Sequence, residues 1–227
     1  RQIELDPEYL EAYLGRGDSK NSLKNFKGAI EDFNKAIELD PENQYAYANR
    51  GYSKNNLKDF KGAIEDFNKT IELDPENQWA YANRGYSKNK LKDFKGAIKD
   101  FNKAIELDPE NAYAYASRGK AKDYLGKYFD AIYDFTRAIE IDPKNSDYYN
   151  KRCLSKFKME QYLKKEILYI INPVVVTLHF QKKVGLFVNA KINFIKKITL
   201  DLGLDMIQLH GDEDIQFIKN LKVLTNK

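Results

Sequence analysis

The sequence predicts a mostly α-helical chain: an α-solenoid of stacked helix-turn-helix repeats followed by a partial α/β segment of βαβα order. Three observations predict it. The dipeptide Asp-Pro returns at Asp6-Pro7, Asp40-Pro41, Asp74-Pro75, Asp108-Pro109 and Asp142-Pro143, always 34 residues apart and with near-identical sequence between. A fixed period of that length marks repeated units that cannot bury their apolar faces alone and must stack. Within a unit the apolar residues fall at mixed three- and four-residue steps, the spacing of one helix face. From about Val174 the period vanishes, and short apolar runs alternate with helical spacing.

Aligned on proline, the full units are residues 10–43, 44–77, 78–111 and 112–145, with a degenerate unit at 146–172. The first domain is therefore expected over 1–172 and the second over 173–227. In the second unit the first helix is expected from about Tyr45 to Leu57 and the second from about Phe60 to Leu73. Asp59 offers the N-cap and Pro75 the stop. Tyr47, Leu57, Phe60, Ala63, Ile64, Phe67, Ile71 and Leu73 form the apolar face of this helix pair.

Composition narrows the function classes. A content of 42% hydrophobic and 32% charged residues is ordinary for a globular protein, and the net charge of +4 is too diffuse for a nucleic-acid stripe. The only cysteine, Cys153, permits no intramolecular disulfide and reads as a small buried apolar side chain. The most apolar stretch, Ile167 to Phe180, is broken by Asn172 and Pro173 and is too short for a bilayer, which takes about twenty residues. The expectation is a cytoplasmic protein with no cofactor, no nucleic acid and no membrane partner. Arg1 stands where a Met would, and Arg1 to Pro7 reads as the tail of a further unit, so the chain is expected to be a fragment.

Residues Tyr47, Gly51, Ala63, Phe67 and Pro75 carry a resemblance to the tetratricopeptide repeat family, and the set returns three times. It recurs as Tyr81, Gly85, Ala97, Phe101, Pro109, as Tyr115, Gly119, Ala131, Phe135, Pro143, and as Tyr13, Gly17, Ala29, Phe33, Pro41. Gly and Ala belong where two helix backbones come closest, and aromatics fill the wider gaps. Arg50, Arg84 and Arg118 stand where the family pattern often has Leu, and are expected to pack their stems and solvate their heads. After Pro143 the pattern decays: Tyr149 and Tyr162 fit, but Cys153 replaces the Gly and Lys165 the Ala. Lys158, Glu160, Lys164 and Lys165 are candidates for a polar outer face that ends the stack.

The resemblance implies that the first helix of each unit lines a concave groove. It assigns that groove Tyr45, Asn49, Tyr52 and Asn55, then Trp79, Asn83, Tyr86 and Asn89, then Tyr113, Ser117, Lys120 and Asp123. Such an aromatic and amide ladder suits a protein or peptide partner presented as an extended or helical segment. A second reading stays open, in which Tyr45, Trp79 and Tyr113 merely cover neighbouring helices. Ala48, Ala82 and Ala116 occupy positions where a carboxylate clamp needs cations, which argues against a chaperone tail.

Past residue 173, Val184 to Val188 and Met206 to Leu209 read as strands, and Ile192 to Leu202 and Asp214 to Leu224 as helices. The strings VGLFVNA, LGLDMIQLHGDE and DIQFIKNL resemble the third and fourth βα units of phosphoribosylanthranilate isomerase, a (βα)8 barrel of tryptophan biosynthesis. That resemblance implies that Gln208 and His210 line a substrate pocket and that the reaction is an Amadori rearrangement. It also implies a cysteine base and an aspartate acid on strands that the chain lacks, so no catalytic residue is assigned. His210 with Asp212, Glu213 and Asp214 reads as a loop entering a helix rather than a metal site, and His179 as packing. Two βα units carry open strand edges, which implies self-association. Three readings follow: a binding scaffold, an inactive piece of a repeat-fused isomerase, or a join of two unrelated coding segments.

Overall fold

The computed structural model describes residues 8–170, 184–187 and 206–209, with side chains described from residue 8 to residue 162. Its punctuation is local. In Asp40-Pro41-Glu42-Asn43 the residue before proline is pushed from the helical region, and Asp40 takes φ −139° and ψ 94°. The Asp40 Oδ1 accepts the Glu42 N–H at 3.1 Å, and the Asn43 side chain accepts the Ala46 N–H at 3.0 Å. One tetrapeptide thus ends a helix with an Asx turn and caps the next. Asp74 with Asn77, and Asp108 with Asn111, repeat the arrangement.

The turn inside each unit follows a different rule. Lys24, Lys58 and Lys92 adopt φ of 61°, 65° and 64°, and Gly126 adopts 72°. Around Lys58, the Asp59 N–H donates to the Lys54 carbonyl at 2.9 Å and the Lys58 N–H to the Asn55 carbonyl at 3.0 Å. This left-handed C-cap satisfies carbonyls that the helix end exposes. Asn25, Asp59 and Asp93 then cap the second helices by accepting from Gly28, Gly62 and Gly96 N–H.

Among the described residues these signals delimit nine helices and two strands. The helices are α1 (Leu10–Ser22), α2 (Phe26–Leu39), α3 (Gln44–Asn56), α4 (Phe60–Leu73), α5 (Gln78–Lys90), α6 (Phe94–Leu107), α7 (Ala112–Tyr124), α8 (Tyr128–Ile141) and α9 (Ser146–Ile170). The strands are β1 (Val184–Phe187) and β2 (Met206–Leu209). The chain divides into two compact units, Arg1–Met159 and Glu160–Lys227. In the first, each helix packs on its sequence neighbours, and first helices α1, α3, α5 and α7 also meet one another in succession. None of the helices among the described residues is long and apolar enough to cross a membrane.

The hairpins are held by one recurrent contact. Phe33, Phe67, Phe101 and Phe135, on the second helices, are at most 1% exposed, and burial of each such ring contributes about 1.5–3 kcal/mol. Opposite them stand glycines with no room to spare: a Cβ on Gly85 would sit 2.9 Å from the Phe101 ring. Ala46, Ala80 and Ala114, fully buried, let successive units approach.

The arginines differ from expectation. Arg50, Arg84 and Arg118 do not solvate their heads; their side chains are only 14–17% exposed. Each guanidinium meets both carboxylate oxygens of an Asp sixteen residues on, at 2.6–3.2 Å: Arg50 with Asp66, Arg84 with Asp100, Arg118 with Asp134. Lys54, Lys88 and Lys122 close on the same carboxylates at 2.7–2.8 Å. The physical reason is that Asp66, Asp100 and Asp134, at most 5% exposed in their side chains, have lost their water in the seam and take the cationic side chains as partners in its place. The spare Nη1 of Arg50, Arg84 and Arg118 reaches Asn34, Asn68 and Asn102 of the preceding unit at 2.8 Å, so each triad also joins neighbours. Arg16 and Lys20 hold Asp32 in the same way.

Cys153 is also a correction. It is exposed and free, because α9 runs unbroken past the point where earlier units turn back. Glu160 and Gln161 stand where Lys92 and the Asp93 cap stood. No second helix therefore folds against the Cys153 face within α9.

In the second unit β1 and β2 pair in parallel, with Val184 opposite Met206 and Leu186 opposite Gln208. The helices expected over Ile192 to Leu202 and Asp214 to Leu224, and the positions His179 and His210, lie outside the described residues.

Candidate functional site

The face built by the first helices presents aromatic rings that the core does not consume. Tyr52 is 38%, Trp79 39% and Tyr113 43% exposed. They lie on that face because positions two and nine of each unit fall away from the Gly and Arg that turn toward the second helix. Two adjoining clefts run between these rings. One, of about 490 Å³, is lined by Tyr52, Asn55, Phe60, Asn83, Tyr86 and Tyr113. The other, of about 360 Å³, lies between α5, α7 and α9 and includes Tyr86, Asn89, Tyr113, Ser117, Lys120 and Tyr124. Tyr86, Lys90 and Tyr113 border both.

Each residue assigned from sequence has a definite place. Tyr45 donates its hydroxyl to Asp18 Oδ2 at 2.6 Å, and burial, then Asp18, push its phenol up to about 12. Asn49 and Asn83 donate to the carbonyls of Tyr45 and Trp79 in their own helices, at 3.1 and 2.9 Å. Trp79 rests edge-on against Phe67, 5.8 Å between centroids, and tilts against Tyr52 at 6.1 Å. The Trp79 ring therefore both covers a neighbour and remains exposed. Tyr86 meets Phe60 edge-on at 6.3 Å. Tyr113 keeps much of its surface open while lining both clefts, and burial pushes its phenol well above the usual tyrosine range.

The seam takes the remaining amides. Asn55 is 6% exposed and its Oδ1 lies 2.7 Å from the Ser87 hydroxyl. Asn89 donates from Nδ2 to the Ser117 carbonyl at 3.2 Å. Asp123 accepts from Ser155 at 2.7 Å and pairs with Lys158 of α9. Tyr45, Asn49 and Trp79 border neither cleft, whereas Tyr52, Asn55, Asn83, Tyr86, Asn89, Tyr113, Ser117 and Lys120 border at least one.

Sequence reasoning missed Phe60, Phe94, Tyr124, Lys90 and Lys151. Phe60 opens its second helix and reads as core from its spacing, and Phe94 is its counterpart one unit on; both line the clefts, and Phe94 stacks on Tyr124 at 4.9 Å. The signal was available in position: the first residue after a cap projects beyond the helix contact. Lys151 belongs to α9, whose unit had read as decayed. Among the described residues no His, Cys, Asp and Glu cluster is arranged to hold a metal. Gln208 lies within β2.

Comparison with known proteins matches two families, over ranges that overlap at residues 138–145. Family models described as tetratricopeptide repeat match residues 10–43, 45–77, 79–111 and 112–145. The model for N-(5'phosphoribosyl)anthranilate (PRA) isomerase matches residues 138–226. A solved structure of MamA is 26% identical, covers 68% of this chain and 96% of that one, and superposes with a TM-score of 0.58. The first repeat domain of Spaghetti (RPAP3), solved bound to HSP90 peptide SRMEEVD, is 26% identical over 53% of this chain and 96% of its own, with a TM-score of 0.51. The N-(5'-phosphoribosyl)anthranilate isomerase of Bacillus cereus (strain AH187) is 41% identical over 69 residues, 30% of this chain and 31% of that protein. The chain thus spans about a third of the length of the curated relatives it matches. Residues 10–145 belong to the tetratricopeptide repeat family, and residues 138–226, which overlap their end, match part of the PRA isomerase model.

Proposed function

We propose that the repeat solenoid is a protein-interaction scaffold that receives a peptide segment of a protein partner along its first-helix face. The observation that carries this is the run of rings Tyr52, Tyr86, Tyr113 and Tyr124 joined by two adjoining clefts. Rings with few rotatable bonds give large contact area at little entropic cost. The groove amides add hydrogen-bonding groups suited to a main chain. The peptide-bound neighbour, Spaghetti (RPAP3), supports the class of ligand. Ala48, Ala82 and Ala116 are at most 6% exposed and offer no cation at those positions, which disfavours a chaperone tail bound by the usual clamp.

The test is a panel of peptides of varied charge and length titrated against the full chain. Trp79 is the sole tryptophan, so its emission reports occupancy beside the groove. Replacing Tyr86 and Tyr113 together by Ala should weaken the best binder at least about tenfold while helical content and melting stay unchanged. Binding that survives this pair places the ligand elsewhere.

A second reading applies to residues 138–226, which match the isomerase family model, and is supported by a 69-residue stretch of this chain that is 41% identical to the Bacillus cereus isomerase. In it, this segment is a portion of an isomerase of N-(5'-phosphoribosyl)anthranilate fused to the repeats, with Gln208 and His210 as remnants of the substrate pocket. Parallel pairing of β1 with β2 is compatible with consecutive βα units. The matching stretch spans about a third of that isomerase, so the expected isomerisation rate of this chain is that of the buffer. Turnover proportional to protein concentration would instead make the enzyme reading primary.

A further inference from the structure

The chemistry of the groove's occupant follows from two breaks in the repeat, and the inference rests on the peptide-groove reading above. Lys54, Lys88 and Lys122 are each neutralised by a buried Asp. Lys90 and Lys120 are not: among the described residues neither makes an ion pair, and Lys90 lies over the Tyr86 ring at 5.1 Å. Both border the cleft between α5, α7 and α9, as does Lys151. Lys151 pairs with Asp147, yet burial, and then the charge of Lys120, hold its ammonium below the usual lysine value. Lys120 and Lys151 thus border one space walled by Tyr86, Tyr113 and Tyr124, and the Asp147 carboxylate that pairs with Lys151 lines it too, which leaves Lys90 and Lys120 among its uncompensated cations. A ligand carboxylate beside Lys120 would offset its repulsion of Lys151.

The second break is in the seam. The hydroxyls of Ser53 and Ser87 lie 2.7 Å from Oδ1 of Asn21 and Asn55 in the preceding unit. In α7 the corresponding residue is Ala121, and Asn89 Oδ1 is buried without a hydrogen bond. Its orientation is set by Nδ2, which donates to the Ser117 carbonyl. One unit earlier, Asn55 Nδ2 is likewise buried and unpaired. Adjacent units thus hold one unused acceptor and one unused donor beside the two clefts, the complement of a peptide main chain.

We propose that the cleft between α5, α7 and α9 is a subsite for an acidic, extended peptide segment. Carboxylates lie beside Lys90 and Lys120. A main-chain N–H enters the seam to Asn89 Oδ1, and apolar side chains rest on Tyr86, Tyr113 and Tyr124. A nucleic-acid backbone fits less well. Arg84 and Arg118 are committed to Asp100 and Asp134, which leaves no bidentate phosphate fork in the cleft.

The experiment uses the full chain and fluorescent peptides that alternate Glu with Leu, Phe or Val, the same set with Gln for Glu, and a labelled oligothymidylate, all read by anisotropy. The Glu set should bind about tenfold tighter than the Gln set, an advantage that shrinks with salt. Lys120→Ala should remove most of that advantage and leave the Gln set untouched. Ala121→Ser, which offers Asn89 an internal donor, should weaken both sets about fivefold while raising the melting temperature. Equal binding of the two sets, or unchanged Glu-set affinity in both variants, overturns the subsite while leaving the groove reading intact. Failure of both sets overturns the subsite, and if the wider peptide panel also fails, the groove reading falls with it. Tighter binding of the oligothymidylate overturns it in favour of a nucleic acid.

Discussion

The hairpin α5–α6 and the helix α9 start from the same repeat register and end differently. In α5 the ring of Tyr81 sits under Arg84, Gly85 faces Phe101, and Asp100 closes on Arg84 and Lys88. In α9 the equivalents of the first helix persist: Arg152 lies over Tyr149 and reaches Thr136 of the unit before it. Tyr148 packs into the cluster of Tyr115, Phe135 and Ile139, and Ser155 and Lys158 hold Asp123. Docking onto the preceding unit thus survives. Closing into a hairpin does not, because Cys153, Gln161 and Leu168 stand where Gly85, the cap Asp93 and Asp100 did their parts. The comparison separates two sets of residues: one stacks units, the other bends a unit back on itself.

The largest effect that would break this comparison is at the triad. Asp100→Ala strands Arg84 and Lys88 in the seam and should cost about 3–5 kcal/mol, read as a lowered urea midpoint. Arg152→Ala, with no carboxylate behind it, should cost less than about 1 kcal/mol. Equal losses would mean that the triad is not what distinguishes the hairpin.

Next in size is the close approach. Gly85→Ala forces a Cβ toward Phe101 and should destabilise by about 1–3 kcal/mol despite its better helix propensity, whereas Cys153→Ala in exposed α9 should stay within about 0.5 kcal/mol. Thermal melts of the two variants make the contrast.

Acid tests the triad of Asp32 with Arg16 and Lys20. Burial pushes the Asp32 carboxyl up, and Arg16 and Lys20 more than offset it, so the group sits below its ordinary value. Its contribution is complete above the unfolded carboxylate range of about 4 and is lost as the pH falls through the lower folded value. Stability should hold down to about pH 5 and then decline, and Asp32→Asn should flatten that decline.

The smallest effect concerns the turn. Lys92→Gly relieves a left-handed lysine and should stabilise by about 0.5–1 kcal/mol after the flexibility of glycine in the unfolded chain is counted. Glu160→Gly in α9 should do the opposite, since that position is helical and exposed, at a cost of about 1 kcal/mol.

Much of the repeat was legible because its signals are local or periodic. Asp40-Pro41 and Asn43 act within four residues, and Asp59 caps the helix that begins at Phe60, where the spacing had placed it. The Gly and Phe contact returned at each period, which allowed it to be read as one packing event. The fate of the groove amides was not legible. The family resemblance assigned Asn49 and Asn55 to one face, yet one bonds its own helix and the other enters the seam, where it meets Ser87 of the next unit. The arginine heads were misjudged for the same reason: their partners lie sixteen residues on, in another helix.

By itself the sequence determined where helices start, stop and turn, since caps, proline and left-handed positions act within a few bonds, and it determined that units must stack to cover their apolar faces. Tertiary structure alone decided which polar groups the stack consumes and which it leaves to the groove. Desolvation is the reason: Asp134 and Asn89 carry no local sign of burial, and only packing removes their water and obliges Arg118 to pair while Asn89 Oδ1 goes without.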